Sequence, residues 1–477
     1  MVFKNKLYIG GKWREASDGG DFEVLNPADE SVLTRVSSGT IADAEACVNA
    51  AQEAFAGWAS LSPRERGEIL RKAYDIFMSK LDDIAHLITL ENGKAGSDAM
   101  GEARYAAEFF RWYAEEAVRS DGHLGMAPAT GARILVHQKP AGISVLVTPW
   151  NYPAAMGTRK IGPALAAGCP VIVKPASETP LTMLALMPIL EEAGVPPGVV
   201  NVLPSRSSGA VVSKMLSDPR VRVVSFTGST EVGRKLLHAA ADNVVKPAME
   251  LGGNAPFIVC KDANIEAAAD GLMVAKMRNL GEACTAANRI YVHESVEKEF
   301  VSAFSKKMAA LKVGNGTDKT VDVGPLVNAE TRDKVDYFVQ DAIAKGAKLE
   351  VGGVRPDGLG FFYPPTVLSN VSDDAECLAD EIFGPVAAIQ TFVDEDEIIE
   401  RSNSTEYGLV AYLYTEDVRK GLRLSEKLEF GMIGLNRGLV SDPAAPFGGV
   451  KQSGLGREGG KEGLLEFQET QYISTEW

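Results

Sequence analysis

The chain has 477 residues, more than a single hydrophobic core usually supports, so two or more domains are expected. Apolar residues make up 45% and charged residues 24%, the ordinary balance of a soluble globular enzyme. Asp and Glu outnumber Lys and Arg by 64 to 49, and this acidity argues against nucleic acid or an anionic membrane as a partner, since both need a basic face.

The N-terminus, Met1 to Gly11, lacks the apolar stretch of a secretory signal. No apolar run approaches the roughly 20 residues needed to span a bilayer. The five cysteines show no disulfide-like spacing, which fits a reducing cytosol and a cytoplasmic location. From Ile41 to about Arg119 the apolar positions recur at helical spacing, with Ser62 as a helix N-cap and Pro63 at the first helical position. Charged residues in this region read as solvated helix faces.

From Gly142 the pattern changes to short apolar strands separated by helices. Gly142–Thr148, Pro170–Lys174, Val199–Leu203, Val221–Phe226 and Ala255–Val259 read as strands, with Thr182–Ala193 as one crossover helix. Such alternation predicts a parallel, doubly wound sheet, which places ligands beyond the carboxyl ends of its strands. Trp150, Asn151, Lys174 and Gly228 fall there. A second α/β region runs from about Leu251 to Asn436, with strands at Arg289–His293 and Val386–Phe392 and a helix at Val296–Leu311. Ser120–Lys139 and Leu464–Trp477 stand apart as exposed strands whose open edges need covering.

Among the cysteines, Cys284 lies in Lys276-Met-Arg-Asn-Leu-Gly-Glu-Ala-Cys284, where small neighbours and nearby Arg278 would leave a thiolate approachable and electrostatically favoured. Cys169 and Cys260 sit in apolar runs and read as core residues, and Cys47 and Cys377 have no partner motif. By itself a lone cysteine is more often inert than nucleophilic. The turn Phe226-Thr-Gly-Ser-Thr-Glu-Val-Gly233 follows a strand and opens a helix, so its amides could face a pyrophosphate, although it is not the G-x-G-x-x-G fingerprint. The five histidines show no ligand spacing, and no metal is expected.

Seven motifs then occur in a fixed order: Thr148-Pro-Trp-Asn-Tyr-Pro153, Val173-Lys-Pro-Ala-Ser177, Ser225-Phe-Thr-Gly-Ser229, Glu250-Leu-Gly-Gly253, the Cys284 segment, Glu381-Ile-Phe-Gly-Pro385 and Pro446-Phe-Gly-Gly-Val-Lys451. In these the chain resembles the NAD(P)-dependent aldehyde dehydrogenases nearly end to end, and within them the succinate semialdehyde dehydrogenases. The resemblance implies an α/β fold with a Rossmann-type cofactor domain at 1–119 and 140–250 and an α/β catalytic domain at 251–447. A small β oligomerisation arm is implied at 120–139 and 464–477, pairing with a partner subunit in a homodimer or homotetramer.

The resemblance also implies roles. Cys284 would add to the aldehyde carbon, the Asn151 amide and the Cys284 backbone N–H would hold the oxyanion, and Glu250 would activate the water that hydrolyses the thioester. A single oxyanion donor is worth roughly 3 kcal/mol in comparable acyl chemistry. Trp150, Lys174, Ser177, Gly228, Ser229, Glu381 and Phe383 would line the dinucleotide site. Ser177, where NAD-selective relatives often carry a carboxylate, favours NADP with NAD tolerated, although Glu178 stands next to it. Arg159, Arg278 and Ser441 match positions that hold the distal carboxylate of succinate semialdehyde, a geometry suited to forked guanidinium donors. The presence of Glu250 favours hydrolysis over transfer to CoA.

Two departures stand out: Ala286 replaces a second cysteine found in some relatives, so no disulfide switch is expected, and Glu282 replaces a common Gln beside the nucleophile, where it could raise the thiol pKa. Other readings are glutarate semialdehyde as substrate, a dehydrogenase of aromatic or medium-chain aldehydes with Arg278 structural, and a non-catalytic protein that keeps the fold.

Overall fold

The computed structural model describes residues 3–477. Four helices, Ile41–Ser60, Pro63–Ser79, Leu81–Asn92 and Gly96–Glu116, fill the region expected to be helical. Thr40 and Ser62 close the first two with capping boxes in which Asp43 and Glu65 reach back to the cap amide, and Pro63 occupies the first turn. The reading of charged residues there as solvated is corrected for several of them. Asp43, Glu91, Lys94, Glu102 and Glu116 are buried, and Glu102 shares its helix face with the fully buried Ala99, Ala103 and Ala106.

Two large sheets follow. The first runs in the order Gly454–Leu455, Lys246–Glu250, Val221–Thr227, Ile143–Val147, Val171–Lys174, Val200–Val202, Leu7–Ile9 and Lys12–Arg14. Its five central strands are parallel, and the pairs at both edges are antiparallel. The second runs in the order Lys348–Val351, Thr366–Ser369, Val386–Phe392, Ala287–His293, Ala255–Val259, Val410–Tyr414 and Met432–Leu435. Ala255–Val259 therefore belongs to the second sheet, where it pairs with Ala287–His293 and Val410–Tyr414. The fifth parallel strand of the first sheet is Lys246–Glu250, whose Pro247 hides it from a strand pattern.

A third sheet joins Gln468–Thr475, Arg133–Pro140 and His123–Met126, all antiparallel. These are the two segments that stood apart in the sequence. No helix among the described residues is long and apolar enough to cross a membrane.

Candidate active site

A cavity of about 440 Å³ opens at the carboxyl end of the first sheet and reaches the second. Trp150, Asn151, Arg159, Gly228, Ser229, Arg278, Cys284, Glu381, Phe383 and Ser441 all line it, so one space collects ten of the site residues expected from sequence. Glu250, Lys174 and Ser177 do not line it. Glu250 ends its strand buried behind the cavity wall, Lys174 ends the strand Val171–Lys174 and is also buried, and the Ser177 hydroxyl donates to the Ser205 carbonyl at 3.2 Å.

Cys284 is placed by a tight loop. Asn279, Leu280 and Gly281 take φ values of 51°, 42° and 82°, a left-handed run that costs energy at the two non-glycine positions. At Gly281 a Cβ would lie 2.2 Å from the Gly384 carbonyl oxygen, so no side chain fits. At Gly253 a Cβ would meet the Cys284 carbonyl oxygen at 2.5 Å, and this lets the chain leaving Glu250 run against the Cys284 backbone.

Asn151 is fixed from three sides. Its Nδ2 donates to the Glu282 carbonyl at 2.9 Å, leaving the second amide hydrogen free. The Asn151 carbonyl accepts from Lys94 Nζ at 2.7 Å and from Asn279 Nδ2 at 3.0 Å. Lys94 pairs with Glu102 at 2.7 Å, both fully buried, and Glu102 Oε1 accepts from the amides of Ala154 and Ala155. Sequence reading missed this buried pair. The signal available was an acid on an alanine-lined helix face.

The thiol does not match the electrostatics expected for it. Burial pushes the Cys284 thiol up to about 12, Arg159 opposes this, and Glu381, Glu250 and Glu458 add to it. Arg159, rather than Arg278, is the principal cation acting on it, and Glu282 is not among the principal groups either. The Glu282 side chain turns away from the cavity, where Oε1 accepts from the Val327 amide at 3.0 Å, and burial lifts its carboxyl to about 8 against that hydrogen bond.

Glu250 is lifted well above the carboxylate range, by burial first and then by Glu458. Its Oε2 is buried without a partner. Glu458, which sequence reading did not single out, meets Arg159 Nε at 2.6 Å and pairs with Lys160, and against burial these two cations hold it below the usual range. Arg159 thus spends part of its charge inside the protein. Its guanidinium also lies 4.2 Å from the Phe447 ring centre. Arg278 makes no ion pair among the described residues. It donates to Ser441 Oγ at 3.4 Å and lies over the rings of Tyr105 and Tyr152.

The residues present suit a dinucleotide. The strand Val221–Thr227 leads through Gly228 into the helix Thr230–Ala241, whose N-cap Ser229 faces the cavity, a ready site for a phosphate. Glu381 Oε1 is buried and unpartnered, an acceptor in position for sugar hydroxyls, and burial lifts this carboxyl to about 8. Lys174 Nζ makes no ion pair among the described residues, and burial lowers it to about 8, with Glu178 opposing. The Phe383 ring stands edge-on to Trp150 at 5.4 Å, held there by a left-handed φ of 54°.

A doubly wound sheet with a phosphate-ready helix start, beside a loop-mounted cysteine, describes a dehydrogenase that works through a thiol. The chain belongs to the aldehyde dehydrogenase family, whose family model matches residues 13–473. It is an NAD(P)-dependent aldehyde dehydrogenase. It is 50% identical to a succinate-semialdehyde dehydrogenase of Paenarthrobacter nicotinovorans, over 93% of this chain and 98% of that one. It is 43% identical to a glutarate-semialdehyde dehydrogenase of Pseudomonas aeruginosa, over 99% and 98%. A crystal structure of an E. coli NADP-dependent enzyme superposes with a TM-score of 0.97 at 42% identity, covering 99% of this chain and 98% of that one.

Proposed function

We propose that the enzyme oxidises succinate semialdehyde to succinate, with NADP preferred over NAD. The observation that carries the substrate reading is Arg278: a largely buried guanidinium lines the same cavity as Cys284 and makes no ion pair among the described residues, Asp98 acting on it only from beyond ion-pair distance. A buried guanidinium with no ion pair in direct contact has donors open to an anion in the cavity. A terminal carboxylate on the aldehyde supplies it, and Ser441 beside Arg278 adds a hydroxyl donor.

Cys284 reacts as the thiolate, its sulfur adding to the aldehyde carbon while the free Asn151 amide hydrogen and the Cys284 backbone N–H receive the developing oxyanion. The dinucleotide, when bound, supplies the acceptor for the hydride that leaves this carbon. Glu381 would hold its nicotinamide ribose, Ser229 and Gly228 its phosphates, Trp150 and Phe383 its ring environment, and Lys174 and Ser177 its adenosine ribose. Glu250, lifted by burial, takes a proton from water, and the resulting hydroxide attacks the thioester carbon. Collapse returns the thiolate and releases the second carboxylate. The NADP preference is supported by the hydroxyl of Ser177, which does not repel a 2′-phosphate as a carboxylate would. The name of the E. coli structure points the same way.

The test is the initial rate with succinate semialdehyde, glutarate semialdehyde and hexanal, each with NADP and with NAD, for the wild type and for Arg278→Met. The semialdehyde is expected to be preferred. The preference over hexanal should fall about a hundredfold in the variant, because charge-assisted hydrogen bonds worth roughly 3 kcal/mol are lost. A wild-type preference for hexanal overturns the substrate reading and leaves the family chemistry standing.

A further inference from the structure

The cavity holds a buried aromatic donor that neither the motifs nor the proposed clamp uses. Tyr105 comes from the helix Gly96–Glu116, far in sequence from the other carboxylate-binding candidates, and its ring lines the cavity. Its hydroxyl is buried and has no well-aligned hydrogen-bond partner among the described residues, although the Arg159 guanidinium acts on it as a side-chain donor. The Tyr105 ring packs edge-on to Phe109 at 4.8 Å and lies 5.8 Å from the Arg278 guanidinium carbon. A phenylalanine would keep both contacts without carrying an unsatisfied buried hydroxyl, so packing alone does not explain the oxygen.

The surroundings say what the oxygen is for. Arg159 and Arg278 both act on the Tyr105 hydroxyl, which sets it beside the two cations expected to grip the carboxylate. Arg159 is already engaged by Glu458. Arg278 donates to Ser441 Oγ, which leaves the serine proton free to donate onward. A carboxylate has two oxygens and about four acceptor sites, more than Arg278 and Ser441 satisfy. Tyr152 also carries an orphaned hydroxyl, but the Cys284 thiol acts on it as well as Arg278, so it belongs nearer the reacting end.

We propose that Tyr105 is a specificity-determining residue whose hydroxyl donates a hydrogen bond to the distal carboxylate of the substrate, completing with Arg278 and Ser441 a grip from which Arg159 is partly withdrawn. This rests on the ω-carboxy aldehyde reading of the site. It also assigns the substrate end of the cavity a contribution from the N-terminal helices.

The test is Tyr105→Phe beside Arg278→Met, reading kcat/KM for succinate semialdehyde relative to butanal, together with the protection that succinate gives each folded protein against thermal unfolding. Tyr105→Phe is expected to lower the ratio about tenfold, mainly through KM for the semialdehyde, and to weaken protection by succinate. A Tyr105→Phe ratio and succinate protection equal to wild type, with Arg278→Met impaired in both, overturns the role of Tyr105 and leaves the carboxylate reading intact. If neither substitution changes the ratio or the protection, the carboxylate reading itself fails, and the role of Tyr105 with it.

Discussion

Cys284 faces the cavity, yet burial and three carboxylates keep its sulfur protonated in the cofactor-free protein. Its reactivity should therefore follow pH steeply. With the thiol at about 12, thiolate is the minor form throughout the working range and grows about tenfold for each pH unit below that value. The other four cysteines are buried, so a small alkylating agent reports Cys284. Its rate of reaction with iodoacetamide should rise about tenfold per unit from roughly pH 7 to pH 10 with no plateau. A plateau below about pH 9 would show that Arg159, rather than burial, governs the sulfur. The requirement this places on catalysis is that ligand binding must improve the thiolate's surroundings, since only then do the donors from Asn151 and the backbone have an anion to stabilise.

At the level of elements, the loop Arg278–Gly281 decides what its neighbours do. The left-handed run turns Glu282 inward, so that its carbonyl holds Asn151 and Asn279 while its carboxyl meets the Val327 amide. The unfolded chain would ionise this carboxyl near pH 4.3, whereas the folded protein keeps the proton up to about 8. Between those values the native state binds the extra proton, so this group's contribution to stability falls as pH rises and levels off above about 8. Glu282→Gln keeps the shape and removes the titration. The melting temperature of the variant should match the wild type below about pH 4 and exceed it increasingly toward pH 8, at most roughly 1.4 kcal/mol per pH unit. A difference that stays flat with pH would show that Glu282 does not titrate. None of this was legible in the sequence, where Glu282 counts only as an acid two residues before the nucleophile. The direction of its side chain depends on three successive backbone angles. Cys284, Asn151, Glu381 and Ser229 were legible because motif and site coincide there. Lys94 and Glu102 were not, because a charged residue in a helical stretch reads as solvated until the packing of its face is known. The strand Lys246–Glu250 escaped for a related reason, since its place depends on long-range pairing with Val221–Thr227.

For the whole molecule, the question is what covers the sheet formed by Gln468–Thr475, Arg133–Pro140 and His123–Met126. Cross-strand register puts Ile473 opposite Leu135 and Leu135 opposite Leu124, so these three make one apolar row on one face. Met126 continues that face two residues on, and Leu124, Met126 and Ile473 are 66%, 56% and 43% exposed. A three-stranded sheet with its apolar face in water is a poor free-standing structure and a ready docking surface. A second copy of the chain is the proposed occupant. Leu124→Lys with Ile473→Lys places two charges on the row without touching the cavity. Sedimentation should show the wild type as a dimer or a dimer of dimers and the double variant shifted toward monomer, with a lower melting temperature. A wild type that sediments as a monomer, or a variant that keeps the wild-type size, removes this face from the assembly.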